Sequence, residues 1–470
     1  MGKLKNFFLP EGMVKANDRL GELPSAKETY GDVYKIALPS VLEMVLQSLI
    51  GSVDTMMVGT LGSAAISAVG LTGQPRMLLL AIFFAMNIGV TAIVARRKGQ
   101  GLQKEANQTL RNALLLLAGI SVVAVAVGVG FSRQLMLLAG AKSDTVDMAS
   151  DYFTIIAWGL PINALTMCIC AAQRGIGKTK ITMQVNVTGN VVNVIFNYLL
   201  IGGHLGFPAL GVRGAAIATV IGYAVGGVMA LLSVLGSRSN GSFLHLSRHD
   251  SWKPDKQTLS AIGKVGGNAM IEQVALRVGF FLYARIVADL GTMPFASHQI
   301  CMQFLNLTFS IGDGIGAAGT SLVGQMLGRK RPDLSQLYGK AAQRIAFVVS
   351  VLLLGLLIVL RYPLVGLFSN EADVIALSAQ VMIIVALFQP MQTTSVVISG
   401  CLRGAGDTKY VARVMMLCVM VIRPVLAWGF IHVLGADLIG AWCASFIDMA
   451  VRMTLVYRRF SKGEWFKISV

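Results

Sequence analysis

The sequence predicts an all-α integral membrane protein: twelve transmembrane helices in two six-helix lobes, related by a pseudo-two-fold axis along the membrane normal. Three observations predict it. The 470 residues are 55% hydrophobic and 13% charged, with mean hydropathy +0.68, more apolar surface than a soluble domain can hide. Apolar stretches long enough to cross a bilayer recur along the chain. The chain also repeats itself. A displacement of 229 positions carries Glu43 onto Glu272, Leu61-Gly62 onto Leu290-Gly291, Gly99 onto Gly328 and Pro161 onto Pro390. The same displacement carries Arg174-Gly175 onto Arg403-Gly404, Gly177 onto Gly406, Thr179 onto Thr408 and Gly211 onto Gly440, without a gap.

Taken in order, residues 1–33 are mixed and charged and lack the apolar core and cleavage site of a signal peptide, so they read as a cytoplasmic tail. The N-lobe, 34–236, holds spans at 34–58, 66–94, 107–131, 147–172, 181–202 and 212–236. A polar linker, 237–257, leads to the C-lobe, 258–461, with spans at 259–288, 295–326, 336–361, 374–401, 411–434 and 438–458, and a second tail at 462–470. Six spans is an even number, so both halves start on one side as parallel repeats, an arrangement secondary transporters use to rock two lobes around a cavity.

Cations cluster after every second span: Arg96, Arg97 and Lys98; Arg174, Lys178 and Lys180; Arg238, Arg248, Lys253 and Lys256; Arg329, Lys330 and Arg331; Arg403, Lys409 and Arg413; Arg458 and Arg459. The positive-inside rule makes both termini and the linker cytoplasmic. The net charge of +17 is therefore a topology signal and excludes nucleic acid as a partner. All six cysteines fall in or beside apolar segments and read as reduced thiols. Cys168 and Cys170, two apart, point to different helix faces and make poor metal partners.

The chemistry centres on Ser52-Val53-Asp54-Thr55-Met56-Met57-Val58-Gly59, at the end of the first span. An ionisable group in such a segment costs at least a few kcal/mol at the bilayer centre and marks function by default. The structural alternative is a carboxylate at the membrane edge with its head in water. Tyr283 stands at the matching position of the repeat, so Asp54 has no acidic counterpart and its role is peculiar to the N-lobe. Glu43 shares its helix face about three turns earlier, and Pro39 permits a bend early in that helix. The fifth span supplies Asn186, Asn190, Asn193 and Asn197 at helical spacing, an amide face that should look into the lobe. An aspartate beside amides, screened from lipid and reached by water, can take up and release a proton, because desolvation disfavours its charged form.

Glu43, Glu272, Gln389, Gln392, Arg423 and Asp448 are candidate cavity-lining residues. Glu43 and Glu272, being repeat-related, are as well read as structural, and Asp448–Arg452 and Arg285–Asp289 are i,i+4 pairs that neutralise each other. The turn Arg174-Gly-Ile-Gly-Lys-Thr179 is no P-loop: Ala172 stands where that motif needs glycine, and its twin has Asp407 in place of lysine. Both turns read as tight connections with their arginines at the lipid surface. No nucleotide site is visible, so transport would have to run on an ion gradient, and no cofactor or metal site is expected.

Two six-helix halves, Val53-Asp54-Thr55-Met56-Met57-Val58-Gly59 and the twin Arg-Gly-x-Gly-x-Thr turns resemble the MATE (multidrug and toxic compound extrusion) family over essentially the whole chain past residue 30. The resemblance implies an antiporter that exports organic cations and drugs in exchange for protons or sodium. It implies that the aspartate matched by Asp54 binds the coupling cation and that the proline matched by Pro39 is where the helix bends. In the DinF-like branch, an Asn-x-x-x-Asp pair matched by Asn193 and Asn197, and a threonine matched by Thr219, assist; Asn190 is placed with them. Asn197 stands where the family has aspartate, which weakens the case for sodium. Asn268 and Leu276 stand at the NorM-like proline and glutamate of the seventh span, and the tenth-span aspartate is missing.

The expectation is therefore a proton-coupled antiporter of the plasma (inner) membrane, sodium being the second choice of ion. Its partners are an organic cation or drug-like molecule and the lipid bilayer, and it works as a monomer. The alternative is a lipid-linked oligosaccharide flippase using Arg76, Arg277, Arg285 and Arg423. A membrane-embedded enzyme using His298 or His432 is more remote, neither histidine having a partner at catalytic spacing.

Overall fold

The computed structural model describes residues 7–143, 145–235, 242–247 and 250–468, and of Ser52, Thr55 and Ser63 the backbone alone. Arg238 and Arg248, used in the charge pattern, lie outside the described residues. Twelve long helical segments follow one another: α1 (Ala26–Gly59), α2 (Ser63–Gly99), α3 (Gln103–Gly130), α4 (Val146–Gly175), α5 (Thr179–Gly202) and α6 (Gly211–Leu235). Then come α7 (Lys256–Ala288), α8 (Thr292–Gly328), α9 (Pro332–Val359), α10 (Ala372–Leu387 with Gln389–Gly404), α11 (Thr408–Val433) and α12 (Leu438–Lys462). Among the described residues there is no strand. Among the described residues, nine helices are long and apolar enough to cross a membrane singly, and α10 is a tenth when its two segments, bent by 48°, are joined. Helices α7 and α8, of 33 and 37 residues, have the length but carry more polar side chains.

The repeat is written into the backbone. α2 and α8 begin and end 229 residues apart, as do α3 and α9. The turn before α2 places Gly62 at φ 101° and its counterpart before α8 places Gly291 at φ 105°; Gly177 and Gly406, in the Arg-Gly-x-Gly turns, have φ 85° and 89°. Side chains bearing a Cβ are strained there, which explains glycine at both copies. Thr91 Oγ1 donates to the Ala171 carbonyl at 3.0 Å and Thr320 Oγ1 to the Gly400 carbonyl at 2.8 Å, the same bond in each half.

Two compact units divide the chain: Leu42–Gly266, the N-lobe, and Gly267–Val470 with Met1–Val41, the C-lobe. The divisions fall inside α1 and α7 rather than at 34 and 258. The beginning of α1 joins the C-lobe because Val33 and Ala37 are buried in its core with Leu337 and Tyr338, and Tyr338 Oη donates to Asp32 at 2.9 Å. The preceding segment docks there too, with Met13 and Val14 buried and Lys340 Nζ donating to the Met13 carbonyl.

Within the N-lobe, α5 and α6 approach closely where Gly189 meets Gly222. A Cβ on Gly222 would lie 2.7 Å from the Gly189 carbonyl oxygen and 3.0 Å from Asn193 Cβ. Small residues permit this contact between spanning helices, and it brings the amide face of α5 against α6. The linker is held to the start of α3: Asn107 accepts the His245 N–H at 2.9 Å, Arg111 pairs with Asp250 at 2.8 Å, and Asn112 accepts the Asp255 N–H at 2.9 Å.

In the C-lobe, α10 breaks at Phe388, with Pro390 opening its second segment and removing a backbone donor. α11 is wound as π-helix over Met416–Ile422 and again over Gly429–Val433, on either side of Arg423–Trp428.

Candidate cation-coupling site

Asp54 sits in the last turns of α1, half-buried. Asn197 Nδ2, from α5, donates to Asp54 Oδ1 at 2.8 Å. One turn earlier, the Asn193 amide bridges Asp54 and Thr219 of α6. With Nδ2 toward the carboxylate it donates to Oδ1 at 2.9 Å and Oδ2 at 3.0 Å, while its oxygen accepts from Thr219 Oγ1 at 3.3 Å and Thr219 N at 3.1 Å. Reversed, Nδ2 donates to Thr219 Oγ1 at 3.3 Å and the amide oxygen faces Asp54. Amide orientation follows the hydrogen-bond network. An ionised carboxylate only accepts and takes the first orientation, whereas a protonated one donates and takes the second. The arrangement can therefore satisfy Asp54 in both charge states.

Asn193 and Asn197 are 5% and 2% exposed, so neither faces lipid. Arg76 of α2 and Tyr152 of α4 lie within electrostatic reach of Asp54, and Tyr223 of α6 within reach of Arg76 and Tyr152; among the described residues Asp54 forms no ion pair. The sequence reading missed both tyrosines as site residues. Tyr223 carried a signal, since it lies four residues after Thr219 on one helix face; Tyr152, on another helix, carried none.

The remaining candidates separate. Asn190 is half-buried and makes no hydrogen bond among the described residues, so the amide face is not one continuous site. Glu43, 1% exposed, does not line a cavity. Arg174 Nη1 reaches its Oε1 at 3.1 Å, Asn186 Nδ2 the same oxygen at 2.7 Å, and Thr182 Oγ1 its Oε2 at 2.7 Å. Glu272, also 1% exposed, takes Arg403 Nη1 at 2.8 Å. Its Oε2 is buried without a partner among the described residues, because Val411 and Met415 stand at the positions matching Thr182 and Asn186. The arginines of the twin turns thus point inward to buried carboxylates rather than lying at the lipid surface, because a buried carboxylate demands a partner.

Gln389, Gln392, Arg423 and Asp448 are likewise 0 to 3% exposed, inside the C-lobe. Gln389 donates to the Val385 carbonyl at 3.0 Å. Pro39 lies within α1 as a continuous helix, two residues before the lobe boundary. Arg285 pairs with Asp289 at 2.7 Å, and His432 stacks on Trp428.

The MatE family model matches the chain twice, at residues 39–199 and 269–428. The chain is 28% identical to the probable multidrug resistance protein NorM of Thermotoga maritima, over 96% of this chain and 95% of that protein. It is 27% identical to the uncharacterized transporter YisQ of Bacillus subtilis, over 92% and 94%. Among solved structures it resembles an outward-facing multidrug resistance MATE family transporter of the MOP superfamily, with TM-score 0.86 and 20% identity over 93% of this chain and 97% of that one. It resembles a MOP superfamily transporter from Pyrococcus furiosus equally, with TM-score 0.86 and 20% identity over 94% and 97%.

Proposed function

The chain belongs to the MATE family, and from that premise we propose that it is a proton-coupled antiporter that exports organic cations and drug-like molecules. Protonation of Asp54 is the coupling step. It works as a monomer in the plasma (inner) membrane with both termini cytoplasmic, as the distribution of Lys and Arg supports.

One observation carries the coupling assignment. Glu43, Glu272 and Asp448 are ion-paired to arginines, whereas Asp54 is held by amide donors that accommodate either charge state. A proton can enter and leave Asp54 without leaving a guanidinium unpaired, the costly outcome at a buried ion pair. Asp313 also has no ion pair among the described residues, but it lacks amide partners. Asn197, in place of an acid, leaves a single carboxylate among neutral ligands, which supports protons over sodium. Two lobes that each hold their own polar centre suit alternating access.

The test is efflux of a cationic dye from liposomes containing the purified protein, under separate pH and sodium gradients. The pH gradient drives efflux, the sodium gradient does not, and Asp54→Asn abolishes the pH-driven flux. Wild-type flux from Asp54→Asn sinks the assignment.

A further inference from the structure

The C-lobe carries a second buried polar centre that the transport reading leaves unused. Arg423 reaches Asp448 Oδ2 through Nε at 3.0 Å and Nη2 at 2.6 Å, and Arg452 Nη2 reaches the same oxygen at 2.8 Å. The three residues are 3%, 0% and 4% exposed. Neither guanidinium has another carboxylate partner among the described residues. The cluster therefore holds two positive charges against one negative in the interior of a lobe, where an uncompensated charge is costly.

The hydrogen-bond inventory points the same way. Three N–H groups crowd Asp448 Oδ2, while among the described residues Asp448 Oδ1 has no donor and Arg452 Nε has no acceptor. Trp442 Nε1 and His298 Nδ1, in side chains 1% and 2% exposed, also lack partners. These rings connect to the cluster: Trp442 lies 5.5 Å from His298, His298 lies 5.5 Å from Tyr283, and the Arg423 guanidinium sits over the Tyr283 ring at 5.7 Å. Buried unpaired donors in a native fold call for a partner. Arg423 also follows directly on the π-helical turns of α11, a local winding that recurs at functional sites.

The repeat gives the comparison. Tyr283, Asp448 and Arg452 occupy the positions of Asp54, Thr219 and Tyr223 in the N-lobe. One copy of this centre has an acid held by two amides, and the other has two cations against one acid. We propose that the Arg423–Asp448–Arg452 cluster binds a small monovalent anion, either a halide or the carboxylate of a small solute. The anion accepts from Arg452 Nε and neutralises the second guanidinium.

The experiment is thermal unfolding of the full-length protein in detergent micelles at constant ionic strength, with gluconate, too bulky for a buried site, exchanged for chloride or acetate. Chloride or acetate raises the wild-type midpoint saturably, by about 2 °C at roughly ten times the half-saturating concentration. Stabilisation by chloride assigns a halide, and by acetate alone a solute carboxylate. Arg452→Met, which leaves one cation against one acid, removes the anion dependence. Asp448→Asn, which leaves two cations unopposed, lowers the half-saturating concentration several-fold. A merely structural triad would not move the two variants in opposite directions. Should Arg452→Met fail to fold, Asp448→Asn alone decides. Equal midpoints in chloride, acetate and gluconate for the wild type, or no change in anion dependence in Asp448→Asn, overturn the proposal. No readout here uses transport, so this result stands apart from the test of Asp54.

Discussion

Asn197 Nδ2 donates to Asp54 Oδ1 at 2.8 Å, from a position where the family resemblance leads one to expect a second carboxylate. The site thereby has one ionisable acid and a neutral neighbour whose own oxygen is buried without a partner among the described residues. Two acids at this separation would repel unless a cation or proton lay between them.

Asn197→Asp restores that second charge. The variant should gain sodium-stimulated dye efflux at fixed pH, because paired carboxylates ligate a hard cation better than a carboxylate and an amide. Efflux indifferent to sodium would mean that the α5 position does not choose the ion.

Asn193→Leu removes the group that serves Asp54 in both charge states. Pump rate under a pH gradient should fall about tenfold or more, the worth of one hydrogen bond to a charged group. The variant should remain folded by circular dichroism, since Leu suits the interior of a spanning helix.

Glu43→Gln and Glu272→Gln make a matched pair. Each leaves its arginine without a carboxylate in a mostly buried setting, so each lowers the melting temperature. Glu43 additionally accepts from Thr182 and Asn186, and its loss should cost roughly 1–2 kcal/mol more than that of Glu272. Equal shifts in the two variants would show that these extra donors contribute nothing.

Asp255 caps α7, its Oδ2 accepting the Thr258 N–H at 2.9 Å. Hydrogen bonding to Thr258 holds its carboxyl below the usual carboxylate range. Such a group stabilises the fold above its unfolded value and loses that contribution as pH falls through the depressed folded value. Asp255→Ala should therefore lower the melting temperature at pH 7, with the difference from wild type shrinking in acid.

Much of this was legible beforehand because membrane insertion and gene repetition leave long-range regularities in the chain. Apolar runs located all twelve helices, and the displacement of 229 located their counterparts, down to the positive-φ glycines at 62 and 291. Helical spacing gave the amide stripe of α5, and the family resemblance singled out Asn193 and Asn197 within it as partners of Asp54. What spacing alone does not reveal is which member of a stripe finds which acid. Asn186, one step along the same face, went to Glu43, and Asn190 to neither acid. Arg174 and Arg403 looked like surface anchors because their turns are loops; that they fold back onto buried glutamates depends on packing of α1 and α7. Tyr152 comes to the site from α4, and no local pattern links it to residue 54.

The π-helical winding of α11 also bears on how duplicated halves diverge. α5 and α11 start 229 residues apart and are followed by Gly211 and Gly440 at the same separation, so no residue was inserted or lost between them. Yet α5 is ordinary α-helix and α11 takes more residues per turn at both ends of Arg423–Trp428, which re-aims the side chains relative to the axis. A gapless alignment of the two halves would pair Arg423 with Val194 and record only a substitution. The winding adds to that substitution a rotation of the helix surface, which sets where Arg423 meets Asp448 of α12.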